Sequence, residues 1–158
     1  MFIRGHYLRL LLKLIDYKMS LHIRSLKPEE TEMFYEILGI IRSNHHLRSV
    51  EDLEDNDWIR RTIGIFKNRS PTGGLIWRLD NKDVFVKYAH VHKKSPEEYF
   101  SELIKGSEKI ISERVRGLNS GQNIVIETSQ DKIPLLEELG YALNQDCGDA
   151  AIMGKRLY

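Results

Sequence analysis

The chain has 158 residues, of which 41% are hydrophobic and 30% charged, a length and balance that suit one ordinary folded domain and exclude wholesale disorder. Its 24 Lys and Arg stand against 23 Asp and Glu, a net charge of +1, which lacks the basic excess by which a nucleic-acid binder neutralises phosphates. Cys147 is alone and cannot form an intramolecular disulfide, which excludes a disulfide-stapled secreted scaffold and fits a reducing cytoplasm.

Residues 1–18, MFIRGHYLRLLLKLIDYK, carry Arg9 and Lys13 inside their apolar stretch. The charges break a secretory h-region, and no run reaches the ~18 apolar residues of a membrane span. Leu8, Leu11, Leu12 and Ile15 keep helical spacing, so a membrane-surface helix is one reading. The preferred expectation is an extension ahead of a domain that starts at Met19 and covers residues 19–158, with no membrane partner.

Residues 21–26 alternate Leu, Ile and Leu with polar residues, which predicts a strand. Pro28, Glu29 and Glu30 then predict a helix start, with the stripe Phe34, Ile37, Leu38 and Ile41 carrying it to about Ser43. A loop is expected at 44–46 and a second helix at 50–61. Residues 62–68, 75–79 and 83–92 read as an antiparallel meander, with turns at 70–74 and 80–82. Ser95, Pro96, Glu97 and Glu98 read as a capping box opening a helix that ends near Gly117. A buried strand at 123–127, a helix at 131–139 stopped by Gly140, and strands at 141–144 and 150–157 complete the chain. The order is β-α-α-β-β-β-α-β-α-β-β, one α/β domain. A mixed twisted sheet of about seven strands, with four helices, would contain one parallel crossover between residues 83 and 127.

This order resembles the GNAT superfamily of acetyl-CoA-dependent N-acetyltransferases. The stretch LHIRSLKPEE (residues 21–30) looks like the family's opening strand and helix entry. The meander ending at His92 is similar to its central strands. PLLEELGY (residues 134–141) looks like its "LYEKLGF" segment. The family's Arg/Gln-x-x-Gly-x-Gly/Ala turn, which lets backbone amides reach the cofactor pyrophosphate, is replaced: its arginine position falls on Pro96 and its glycines on Tyr99 and Ser101. The family's tyrosine acid corresponds to Leu136, and its asparagine to about Ser129. The resemblance implies a divergent acetyl-CoA-dependent N-acetyltransferase acting on a small-molecule or protein amine. The alternative is an inactive module of the same fold that binds a protein or small ligand.

Acyl transfer to an amine needs a base for the ammonium proton. Period two along residues 84–92 places Val84, Val86, Tyr88, His90 and His92 on one face, with His90 and His92 at the strand end where the family's thioester lies. Glu127 ends the next strand beside the same expected cleft. Each is a candidate base, and each also reads as an ordinary half-buried or solvated strand residue. The backbone of Val91, His92, Lys93, Lys94 and Ser95 is the expected cofactor cradle. Tyr88, Tyr99 and Tyr141 are candidate acids or core aromatics. No CxxC or HExxH occurs, so no metal is expected. Asp146 and Asp149 beside Cys147 argue against a nucleophilic thiol.

Overall fold

The computed structural model describes residues 5, 7–11, 21–44, 56–118 and 122–157. The expectations for His45, His46, most of residues 1–18 and the start of the second helix lie outside them. Residues 7–11 are helical. The described domain then runs β1 (Leu21–Ser25), α1 (Thr31–Asn44), α2 (Asn56–Arg60), β2 (Thr62–Lys67), β3 (Ser70–Asp80), β4 (Asp83–Val91), α3 (Glu98–Val115), β5 (Asn123–Ser129), a 3-10 turn (Gln130–Lys132), α4 (Ile133–Glu138), β6 (Ala142–Asp146) and β7 (Ala150–Arg156). The seven strands form one sheet in the order β1-β2-β3-β4-β5-β7-β6. Among the described strands only β4 and β5 pair in parallel, because α3 carries the chain across between them.

Each face of the sheet buries its own core. On one face Ile63, Leu75, Val84, Val86, Ile124 and Ile126 pack beneath Phe100, Leu103, Ile104 and Ile111 of α3. On the other, Phe66, Ile76 and Tyr88 meet Phe34, Ile37, Leu38 and Ile41 of α1. The stripe read from α1 is therefore its buried face.

Three local expectations change. The β2–β3 turn is Asn68–Arg69, both left-handed with φ of 49° and 71°, and residues 70–74 belong to an eleven-residue strand. Gly73 and Gly74 serve close approach here. A Cβ on Gly73 would collide with the His90 carbonyl, and one on Gly74 with Ile37 of α1. Helix α1 begins at Thr31 because Glu30 is engaged behind it. Its carboxylate accepts from the Lys27 amide at 2.9 Å and from both terminal nitrogens of Arg24 at 2.7 and 2.8 Å. Helix α3 begins at Glu98, two residues after Pro96, and no side chain caps it. The expected turn at 80–82 and the expected stop at Gly140 hold. Asn81 turns the β3–β4 hairpin with φ 55°. Gly140, at φ 95°, ends α4 in a Schellman motif: Tyr141 N donates to Leu136 O and Gly140 N to Glu137 O, each at 3.0 Å.

Arg24 also stacks on Phe66, 4.5 Å from the ring centroid. The guanidinium holds the Glu30 carboxyl at about 2, below its ordinary 4.5. A group with a lowered folded pKa contributes stability above its unfolded pKa and loses it as pH falls through the folded one. Glu30→Gln should therefore destabilise the fold by about 1 kcal/mol at neutral pH, a modest figure because Arg24 is partly solvated. Denaturant midpoints of variant and wild type should converge between about pH 4.5 and about pH 2. Arg69→Gly, which gives the turn the Asn-Gly sequence favoured by two left-handed residues, should stabilise by about 0.5–1 kcal/mol in the same assay.

Candidate functional site

Strands β4 and β5 pair from Asp83↔Asn123 to Val86↔Ile126 and no further. Beyond that point each follows its outer neighbour. Residues Tyr88 to Val91 stay on β3, and Glu127 to Ser129 stay on β7. The parting follows a bulge in β4: Ile76 faces Tyr88 and Trp77 faces Val86, which leaves Lys87 as an extra residue. The wedge between the strands is an open cleft of about 960 Å³. One wall is Ala89, His90, Val91, His92 and Lys93. The other is Glu127, Thr128 and Ser129, continued by Asp131, Lys132, Asp149 and Ala150. Ser95, Glu97 and Phe100 close the side where α3 begins.

The bulge also corrects the face assignment. Val84 and Val86 lie in the core under α3, whereas Tyr88 lies in the core under α1. His90 shares the Tyr88 face, so it is opposite to Val84 and Val86. On β5, Ile124 and Ile126 face α3, which turns Glu127 to the α1 face. His90 and Glu127 thus stand on the same face of the sheet, on opposite walls of the wedge, and both are half-buried.

Of the other expected residues, Val91, His92, Lys93 and Ser95 line the cleft and Lys94 does not. The His92, Lys94 and Ser95 amides of the expected cradle are already spent. His92 N donates to Thr72 O at 2.6 Å and Ser95 N to His92 O at 2.8 Å. Lys94 N donates to His92 Nδ1 at 3.2 Å. That last bond makes Nδ1 an acceptor, so the neutral ring carries its proton on Nε2 and has its lone pair engaged. His92 orders its loop in this arrangement.

The candidate tyrosines are core residues. Tyr88 and Tyr99 are buried, and Tyr141 is 3% exposed. The Tyr141 hydroxyl donates to Glu108 Oε1 at 2.7 Å. Lys155 Nζ donates to Glu108 Oε2 at 3.1 Å and to Leu139 O at 2.8 Å. Burial, then the Glu108 charge, push the Tyr141 phenol well above its ordinary value. It lies outside the cleft and joins α3, the end of α4 and β7.

The cleft residues the sequence reading did not single out are Ala89, Phe100, Thr128, Asp131, Lys132 and Ala150. Phe100 belongs to the core beneath α3. It is 1% exposed yet lines the cleft, with Lys132 Nζ 5.0 Å from its ring centroid. Asp131 and Lys132 sit in the turn after β5, where the Ser129 hydroxyl donates to Asp131. Gln130 Nε2 fastens that turn to the β6–β7 hairpin through Asp146 Oδ1 at 2.8 Å and Ala150 O at 3.2 Å. Cys147 is exposed in that hairpin. Among the described residues no group of three or more His, Cys, Asp or Glu could hold a metal ion, and no helix is long and apolar enough to cross a membrane.

The fit to an acyl-CoA is divided. The wedge admits an extended thioester-bearing arm between two strand edges. The head of α3 does not suit a diphosphate. Pro96 has no amide hydrogen, and the amides of Tyr99 and Phe100 are taken by Pro96 O at 3.0 Å and Glu97 O at 3.2 Å.

No protein-family model and no curated protein matches the chain. Solved structures do. Ard1 from Thermoplasma volcanium superposes with a TM-score of 0.68 at 12% identity, over 88% of this chain and 99% of that one. Naa50 from Arabidopsis thaliana, in complex with the bisubstrate analogue CoA-Ac-MVNAL, superposes with a TM-score of 0.64 at 14% identity, over 86% and 98%. PaiA N-acetyltransferase from Thermoplasma acidophilum, in complex with coenzyme A, gives 0.60 at 15% identity, over 87% and 99%. The chain has the GNAT N-acetyltransferase fold.

Because Tyr141 is a latch between elements, Tyr141→Phe should lower stability by about 1.5–3 kcal/mol, the worth of a hydrogen bond to a charged group. Thermal or denaturant unfolding measures that loss. Binding of acetyl-CoA by calorimetry should be unchanged.

Proposed function

We propose that the chain is an acetyl-CoA-dependent N-acetyltransferase acting on an amine, and that its catalytic domain is residues 19–158, working in the cytoplasm. The observation that carries this reading is the open wedge beyond Val86 and Ile126. Two similar structures support it: a CoA-based bisubstrate analogue is bound in the one from Arabidopsis thaliana and coenzyme A in the one from Thermoplasma acidophilum.

The cofactor, when bound, supplies an acetyl group activated as a thioester. The walls of the wedge at Val91, His92, Lys93 and Ser95 on one side and Thr128 on the other hold its arm, with Lys94 beside them on the loop. The acceptor amine approaches from the α1 face, where His90 and Glu127 stand. An ammonium of ordinary pKa about 10.4 is neutral in only about one molecule in 10³ at pH 7, so its proton must be removed. Glu127 attracts the ammonium by charge, and Glu127 or His90 takes the proton, directly or through water. His92 keeps its loop in place through the Lys94 amide.

Titration of the protein with acetyl-CoA by calorimetry should give micromolar binding. Absence of binding at millimolar acetyl-CoA would leave the inactive binding module as the better account. Once an amine is accepted, Glu127→Gln and His90→Gln identify the base. The one that carries the proton should lose about 10²–10⁴ in kcat with little change in KM for the donor. Full activity in both variants would refute the assignment.

A further inference from the structure

We infer that this site recognises its donor by the pantetheine arm and acyl thioester, and that the nucleotide diphosphate contributes nothing to affinity. The inference rests on the acyltransferase reading and names the part of the donor that is read. A helix start binds a diphosphate through two things, unpaired amides and an uncompensated positive dipole end. At the head of α3 two amides are taken and the dipole end is compensated. Pro96 offers no donor, and the first turn is tightened so that Tyr99 N and Phe100 N are bonded to Pro96 O and Glu97 O. Glu98 lies in the first turn and Glu97 directly before it, and Glu97 lines the cleft. Both carboxylates answer the dipole from within the chain and repel a second anion.

Nearby cations do not reverse this. Lys93, Lys94 and Lys132 are equalled in number by Glu97, Glu98 and Asp131. Lys132 rests over the Phe100 ring, and the Lys94 and Ser95 amides are spent within the loop. The wedge, by contrast, has room for an uncharged chain between its charged rims of Lys93, Glu97, Glu127, Asp131, Lys132 and Asp149. Its walls carry the backbone of two strands that have parted from each other, with Ala89, Val91 and Phe100 among the lining side chains. Pantetheine, with two amides on an aliphatic arm, matches that lining.

The test is calorimetry on the full chain with acetyl-CoA and with acetyl-pantetheine, which lacks the nucleotide and both diphosphate charges, at low and at physiological salt. The inference expects dissociation constants within tenfold of each other and an acetyl-CoA affinity that salt does not weaken. Acetyl-CoA binding more than tenfold tighter, or weakening with salt, overturns it. The paired variant Glu97→Gln/Glu98→Gln gives a second reading, since a gain in affinity survives any small loss of stability. It should tighten acetyl-CoA by threefold or more and leave acetyl-pantetheine unchanged. An equal effect on both ligands, or none on acetyl-CoA, counts against the inference. If neither thioester binds at millimolar concentration, the acyltransferase reading itself falls and this inference with it. If acetyl-CoA alone binds, only this inference falls.

Discussion

One additional residue in β4 organises the site. A parallel pair such as β4 and β5 stays closed as long as both strands keep regular pleats and each satisfies the other's backbone. Lys87 interrupts that on the β3 side, where Ile76 and Trp77 face Tyr88 and Val86. After the bulge the strand bends with β3, while β5 remains tied to β7 as far as Ser129↔Ala150. Two antiparallel ladders thus draw the central strands apart, and the cleft is the space between them. The same residue reverses the alternation of side chains. Tyr88 fills the core beneath α1, Ala89 fills the core beneath α3, and His90 is brought to the face on which Glu127 stands. A regular β4 would have neither the opening nor that pairing of polar groups.

The walls of an open wedge need support from behind, and the charged groups of this chain supply it at a distance from the cleft. Glu108 on α3 accepts from both Tyr141 and Lys155, and Lys155 reaches on to the carbonyl at the end of α4. Three elements that flank the β5 wall are thereby joined through one carboxylate. Such a group is costly to bury alone but well satisfied here, with a phenol and an ammonium on it. On the opposite side Arg24 and Glu30 fix the entry to α1, the helix that packs beneath Ile76 and Tyr88. Gly73 completes the arrangement by letting β3 lie close against His90 and Val91, and Thr72 O takes the His92 amide at the strand end.

Much of this was legible in the sequence, and what was not has identifiable causes. The order of the elements, the α1 stripe and the Gly140 stop all follow from local periodicity and from residues with restricted backbone choices. Those signals act within a few residues. The bulge at Lys87 leaves no such mark, because Lys is at home on a regular strand, and so period two carried His90 to the wrong face. Gly73 and Gly74 after Pro71 read as a turn because glycine serves two purposes, left-handed backbone and close approach, and sequence does not distinguish them. The turn fell instead on Asn68 and Arg69, where Arg gives little warning of φ 71°. Ser95-Pro96-Glu97-Glu98 had the composition of a capping box, yet the loop folded Ser95 back onto His92 and the helix began without a side-chain cap. The places where local reading failed cluster around the cleft, as expected where tertiary demands override propensity.

The composition of the α3 head bears on how fold and chemistry are related in this chain. A fold supplies the wedge through strand geometry, which many sequences satisfy, and the superposed structures at 12–15% identity show how loosely sequence is constrained by it. An anion cradle is different, because it requires particular residues: glycines to bring amides close and a dipole end left uncompensated. Pro96, Glu97 and Glu98 spend that dipole end on helix stability instead, since proline and acids in this position favour helix formation. The two demands compete for the same few residues. A chain that resolves the competition in favour of the helix keeps the space for the reacting end of a donor and gives up the grip on its charged end. His90 and Glu127, which face each other across the wedge on the α1 side, are set by strand register rather than by the α3 head, so the competition at the helix start leaves them untouched.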